Sequence, residues 1–269
     1  MAEPPTPQPK IDTSMPHSAR VWNYWLGGKD NFAVDREIGD QYRQAFPGIV
    51  EIARADRAFL RRVVEHVAGK EGVRQFLDVG TGLPTHGNTH EVAQQVAPES
   101  RIVYADNDPL VLVHAQALLV SGPRGRTDYI HADLREPEKI LHEAARTLDF
   151  TQPVGIMLLG ILHFVEDLDE VEAIVNRLLD AAPSGSYLAL THATQDLGGE
   201  ANAEAQRIWN ENSPVKITAR TKVEIGRFLN RLDVLAPGLV SLSQWLDEWD
   251  PQGVARAEVA GYCALGRKP

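Results

Sequence analysis

From Val73 to Ala193 short apolar runs alternate with helical stretches, and that alternation constrains the fold more than any other feature of the chain. VRQFLDVG, RIVYAD, TDYIHAD, PVGIMLLG and GSYLALTHA read as strands, each a short apolar run ending in polar or turn residues. NTHEVAQQVA, PLVLVHAQALLV, EPEKILHEAARTL and DLDEVEAIVNRLLDAA read as the helices between them. Strands that feed helices in this order pair in parallel and carry helices on both faces of one sheet. The expected class is therefore α/β, Rossmann-like.

Beyond His192, AEAQRIWNENS and TKVEIGRFLNRL read as helices, the second with Thr221 as N-cap and Glu224 completing a capping box. RLDVLAP and AGYCALGRK add two strands, for a seven-stranded sheet. Residues 1–16, polar and proline-rich, read as a disordered tail. Residues 17–70 read as an N-terminal helical cap, broken at Pro47 and Gly48, and residues 71–269 as one ligand-binding domain.

The chemistry concentrates at the strand tips. In FLDVGTGLPTHGNTHEV the first strand ends at Val79, and Gly80, Thr81 and Gly82 form a turn ahead of a helix starting near Asn88. Glycines there let the backbone approach a ligand, and the helix N-terminus offers amides. Asp78 can accept from loop amides or face an ammonium group. Pro84 stands where a dinucleotide fingerprint needs close approach to a pyrophosphate, which counts against NAD and an oxidoreductase. Asp106, in YADNDP, falls 24 residues after Gly82 and is placed to accept from both hydroxyls of a ribose. Asp108 fits a helix cap better. Asp133 and Leu134, in HADL, are placed for an adenine amino group and ring nitrogen. One adenosine-containing ligand spanning the three tips accounts for all of them.

After the fourth strand comes His163, which either orients a substrate or acts as a base, or packs as a half-buried structural histidine. No G-x-S-x-G elbow occurs, and the single cysteine, Cys263, lies in a strand. His86 and His90 straddle a loop and a helix start without the glutamate of H-E-x-x-H, so no metal site is expected.

A formal charge of -10, from 27 Lys and Arg against 37 Asp and Glu, disfavours nucleic acid and anionic membrane as partners. No N-P-P-[YF] motif follows the fourth strand. The lone cysteine and the absence of a signal-like N-terminus or a long apolar run point to a cytoplasmic protein. Monomer and homodimer both fit.

Asp78, Gly80 and Gly82 in DVGTG, Asp106 in YADNDP, Asp133 with Leu134 in HADL, and ILHF together resemble the class I S-adenosylmethionine-dependent methyltransferases. PHSARVWNYWLGGKDNFAVDR, FLDVGTGLPTHGNTHEVAQ and the tail ending GRKP look like an actinobacterial group of S-adenosyl methyltransferases once catalogued as a domain of unknown function. The resemblance implies strand order 3-2-1-4-5-7-6 with the seventh antiparallel, and S-adenosylmethionine as cofactor. It puts the cofactor on Gly80–Gly82, Asp106, Asn107, Asp133 and Leu134. Pro84 departs from the common D-x-G-x-G-x-G pattern, so the loop from Leu83 to Gly87 is expected to be displaced or longer. The expected activity is methyl transfer to a small-molecule acceptor, with a noncatalytic cofactor-sensing or scaffold protein as the alternative.

RVWNYWLGGKDNF is the densest aromatic stretch of the chain. Val21, Trp22 and Trp25 share a helical face, and Gly27 and Gly28 read as a turn. In class I methyltransferases the segment before the first strand often covers the cofactor. The expectation is a lid, with Tyr24 reaching the cofactor and Arg20, Asn23, Trp25, Gly28 and Asn31 shaping the acceptor pocket.

Overall fold

The computed structural model describes residues 11–85, 87–118, 122, 124–245 and 258–269. Three helices come first: α1 (Ser18–Trp25), α2 (Ala33–Ala45) and α3 (Ile49–Gly69). The alternating region supplies β1 (Gln75–Val79), α4 (Thr89–Val96), β2 (Arg101–Asp106), α5 (Pro109–Leu118) and β3 (Arg126–His131). It continues with α6 (Pro137–Ala144), β4 (Gly155–Leu159), a 3-10 turn at Leu162–Phe164, α7 (Leu168–Ala181) and β5 (Tyr187–Ala193). Then follow α8 (Gly199–Asn212), α9 (Lys222–Arg227), β6 (Asp233–Val234), β7 (Val240–Ser241) and β8 (Gly261–Arg267).

The sheet runs β3-β2-β1-β4-β5-β8-β6, with β7 also on β8. β1 to β5 pair in parallel, and β8 runs antiparallel to β5. The long terminal strand thus occupies the place expected for strand seven. One difference is an eighth strand. The expected strand at RLDVLAP shortens to Asp233–Val234, with Asp233 opposite Arg267, and beyond it Val240 pairs opposite Cys263, so two short segments share one edge of β8.

The strands are apolar because both faces are covered. Phe76, Ile102, Tyr104 and Met157 pack on one face with α3, α4 and α8 residues, including Phe59, Val63, Val92 and Trp209. Leu77, Val103, Ile156, Leu158 and Leu190 pack on the other with Ile140, Val171, Leu178 and Ile225. Successive strand residues serve opposite layers, as the two-residue period demands.

Helix boundaries differ locally. α9 stops at Arg227 rather than Leu232, because residues 228–232 close into tight turns, with Leu229 N–H bonding Gly226 O and Leu232 N–H bonding Leu229 O. α6 stops at Ala144, where the Thr147 amide turns back onto its carbonyl. The expected end of the α5 helix at residues 119–120 lies outside the described residues, as do residues 1–10 of the tail. The Thr221 to Glu224 capping box forms as expected. Ordered contacts reach back to Asp12 and Met15, whose carbonyls accept from Arg20.

Candidate functional site

The carboxyl ends of β1, β2 and β4 open into a cleft of about 800 Å³. After Val79 the chain folds over the tip of β2, with Gly80 N–H donating to Ala105 O at 2.8 Å. Gly80 (φ +75°) and Gly82 (φ +67°) both take a left-handed conformation that other residues rarely adopt. The Gly82 amide donates to Asp106 Oδ2 at 2.7 Å, which ties the loop to the second strand tip. Asp78 receives the Thr89 hydroxyl at 2.6 Å. Burial raises its pKa to about 6, against the opposing pull of Thr89 and Arg57.

The amides leading into α4 are taken by side chains of its first turn and cap, and within the helix the His90 amide donates to the Tyr104 hydroxyl. Glu91 accepts from the Gly87 and Asn88 amides, and Asn88 Oδ1 from the Thr85 amide. Leu83, Thr85 and Arg57 line the cleft beside Asp78. Thr85 Oγ1 is buried and lacks a partner.

Asp106 is held at the tip of β2 by the Gly82 and Asp108 amides. Burial raises its pKa, with those amides pulling the other way. Asn107 reaches across to Asp133 Oδ2 at 2.8 Å. Burial would raise the Asp133 pKa, but the Arg135 amide and the Asn107 side chain hold it below its ordinary value. Asp133 and Leu134 line a second cleft of about 1010 Å³, which shares Gly80, Asp106 and Asn107 with the first. The two clefts adjoin along these shared residues, and the three strand tips lie along them.

α1 roofs this space. His17 Nδ1 lies 3.1 Å from Asp108 Oδ2, and its backbone amide donates to Asp35 Oδ1 at 2.9 Å. Arg20, 4% exposed, has its guanidinium between Asp35 and Asp108. It anchors the helix and does not line the cleft. Asn23 does line it, and its Oδ1 accepts from the Asp30 amide and the Asn31 side chain. Gly28 and Asn31 support Asn23 from behind, and a Cβ on Gly28 would collide with the Asn23 side chain. Tyr24 turns away, with its hydroxyl on Asp40 at 2.8 Å, and the structure does not bring it to the cleft.

Trp22 separates this space from an aromatic pocket of about 640 Å³, where it is joined by Trp25, Tyr42, Phe164 and Trp209. Trp25 donates to Gly39 O and packs on Tyr42 and Trp209. His163 and His192 also line the pocket, their rings 5.6 Å apart. Arg220 donates to His192 Nε2, so the His192 proton sits on Nδ1 and is given to Ala193 O. Burial, assisted by Arg220, lowers the His192 pKa to about 4. Burial, His192 and Arg220 likewise hold His163 well below its ordinary value. Both rings are neutral at pH 7, because burial outweighs the opposing pull of Glu224 on His192.

A family model described as S-adenosyl methyltransferase matches residues 4–269. The chain belongs to that family. A DUF574 family protein from Streptomyces avermitilis is 42% identical over 97% of this chain and all of its own, with a TM-score of 0.92. A methyltransferase candidate from Thermobifida fusca is 41% identical over 98% of this chain and 99% of its own, with a TM-score of 0.86. At fold level alone, magnesium protoporphyrin IX methyltransferase from Synechocystis, with S-adenosylhomocysteine bound, is 14% identical over 93% of each chain, with a TM-score of 0.54. No curated protein matches. The chain is thus an S-adenosylmethionine-dependent methyltransferase of Rossmann-like fold.

The cleft of this methyltransferase fits its cofactor. A Cβ on Gly82 would meet no protein atom within 4 Å, so the loop faces open space. The unpartnered Thr85 hydroxyl borders the same space, and Asp78, Asp106 and Asp133 supply acceptors along it. Among the described residues no group of three or more His, Cys, Asp or Glu is placed to hold a metal, and His86 lies outside them. No described helix is long and apolar enough to cross a membrane.

Sequence reasoning missed Asp56 and Arg57 on α3 and Thr191 at the end of β5. Asp56 lines both the cofactor cleft and the aromatic pocket, and accepts the Thr191 hydroxyl at 2.6 Å. The signal was present in α3 of the methyltransferase. Ile49, Ile52, Ala53, Phe59, Leu60 and Val63 mark its buried stripe, and Asp56 falls in that stripe as its one carboxylate.

Proposed function

We propose that S-adenosylmethionine lies across the three strand tips, with adenine at Asp133 and Leu134, ribose at Asp106 and Asn107, and its amino-acid end at Gly80–Thr85. The two adjoining clefts support this reading, because one ligand laid along them meets the carboxylates of Asp78, Asp106 and Asp133 together. Asp78 takes the ammonium group, and Arg57, in the same wall, offers positive charge to the carboxylate. α1 and Trp22 exclude water from above. The cofactor supplies a methyl group already activated on sulfur, so the protein's work is to hold a small-molecule acceptor in line. The aromatic pocket beyond Trp22 is the acceptor site, a largely apolar, aromatic-lined space with a few polar groups, as small-molecule sites are. His163 lines it as an orienting group rather than a strong base.

The test is acceptor-dependent release of S-adenosylhomocysteine across a broad panel of small molecules. Release is expected with at least one acceptor; cofactor binding without any turnover would instead indicate a sensor or scaffold.

A pH dependence follows from Asp78. Its carboxylate is ionised above about pH 6 and neutral below, so attraction for the ligand's ammonium is lost as pH falls through 6. S-adenosylhomocysteine affinity should fall about tenfold between pH 7 and pH 5. Burial also raises Asp106, which acts in the same direction, so the Asp78→Asn protein isolates the contribution. Calorimetry should show weaker binding at pH 7 and a shallower profile in the variant. Identical profiles would remove Asp78 from the assignment.

A further inference from the structure

We propose that the aromatic pocket takes an organic amine whose ammonium group docks on Asp56, and that Asp56 is the catalytic residue that removes its proton; this rests on the cofactor reading above.

Three observations carry it. First, Asp56 stands where the two spaces meet: it lines the cofactor cleft and the aromatic pocket, together with Trp22, Gly160 and Phe164. A group held there lies between the acceptor and the cofactor. Second, Asp56 is 7% exposed, and among the described residues the pocket wall contains no other carboxylate and no lysine or arginine. The neighbouring His163 and His192 are neutral, so the wall presents one acid amid tryptophan, tyrosine and phenylalanine faces. That environment suits an organic cation, through charge pairing at low dielectric and attraction to aromatic faces. A carboxylate ligand would meet like charge, and an alcohol would gain only a hydrogen bond. Third, the His163 ring lines the same wall, and its Nδ1 is buried without a partner.

Thr191 occupies Asp56 Oδ1, which leaves Oδ2 for the ligand. Arg57 and Cys263 are the other titratable groups acting on Asp56, and burial raises its pKa toward that of a useful base. The ammonium gives one proton to Asp56 Oδ2 and becomes a neutral amine. Its lone pair forms the C–N bond to the methyl carbon as the S–C bond breaks, and the S–C pair stays on sulfur. The products are the methylated ammonium, neutral S-adenosylhomocysteine and protonated Asp56, which returns its proton to water after release.

The experiment titrates the full-length protein, saturated with S-adenosylhomocysteine, with matched probes: 2-phenylethylamine and tryptamine against 2-phenylethanol and 3-phenylpropanoic acid. At least one amine should bind tenfold or more tighter than the alcohol, with the acid weaker still. Asp56→Asn should weaken amine binding at least tenfold, leave alcohol binding within about twofold, and still bind S-adenosylhomocysteine. If that variant fails to fold, Thr191→Val and the amine preference of the unaltered protein decide. No amine preference, or equal amine binding in the folded Asp56→Asn protein, overturns the proposal. Failure of S-adenosylhomocysteine itself to bind would instead overturn the cofactor reading beneath it.

Discussion

The Asp106→Asn protein should bind S-adenosylhomocysteine 10- to 100-fold more weakly than wild type while remaining folded. Hydrogen bonds to a charged acceptor contribute about 1.5–3 kcal/mol, and each 1.4 kcal/mol is about tenfold in affinity. The carboxylate can serve the Gly82 and Asp108 amides and still accept from a ribose diol, because it has roughly four lone-pair directions. An amide keeps one acceptor oxygen and turns an NH2 group toward donors. Alanine would abandon both backbone amides and confuse loop collapse with ligand loss, so asparagine is the cleaner change. Calorimetry gives the affinity, and thermal unfolding checks the fold. Unchanged affinity in a folded variant would remove Asp106 from the ribose site.

The two loop glycines should separate stability from binding. A Cβ on Gly80 would lie 2.5 Å from Ile161 Cγ1, and its φ of +75° is costly for any other residue. Gly80→Ala combines about 1–2 kcal/mol of left-handed strain with about 1–3 kcal/mol of overpacking, so a destabilisation of roughly 2–5 kcal/mol is expected. Gly82→Ala carries similar strain at φ +67° but meets no protein atom. Its stability should fall by only about 1–2 kcal/mol. Its methyl group enters the cleft, however, so S-adenosylhomocysteine affinity should drop at least tenfold. Urea unfolding and calorimetry on both proteins measure the contrast. A Gly82→Ala protein that binds like wild type would place the ligand elsewhere.

The sheet was legible because its signals are local. Buried parallel strands need continuous apolar runs, and the turn after each strand announces itself in the sequence, so the succession of β1 to β5 along the chain followed from VRQFLDVG to GSYLALTHA, while their order across the sheet came from the family resemblance. The split edge on β8 was not legible, since a two-residue strand such as Val240–Ser241 is defined by its partner and has no pattern of its own. At the cleft, the positions of Asp78, Asp106 and Asp133 were readable because each lies at the carboxyl end of a strand or just beyond it. Tyr24 was misdirected: on a short helix its neighbours Asn23 and Trp25 face inward, and Tyr24 finds Asp40 on α2 instead. Arg20 had the burial but not the role, because Asp35 and Asp108, far from it in sequence, claim its charge. Asp56 shows the opposite case. An acid on the apolar stripe of α3 was visible, but its meaning required knowing that β5 brings Thr191 against it and that two spaces meet there.

The most direct measurement is a crystal structure of the full-length protein with S-adenosylhomocysteine bound. Both ribose hydroxyls should lie within hydrogen-bonding distance, about 2.5–3.0 Å, of the Asp106 carboxylate, with adenine against Leu134 and the sulfur facing the aromatic pocket past Trp22. A nucleoside bound away from Asp106, or a sulfur pointing away from that pocket, would contradict the account.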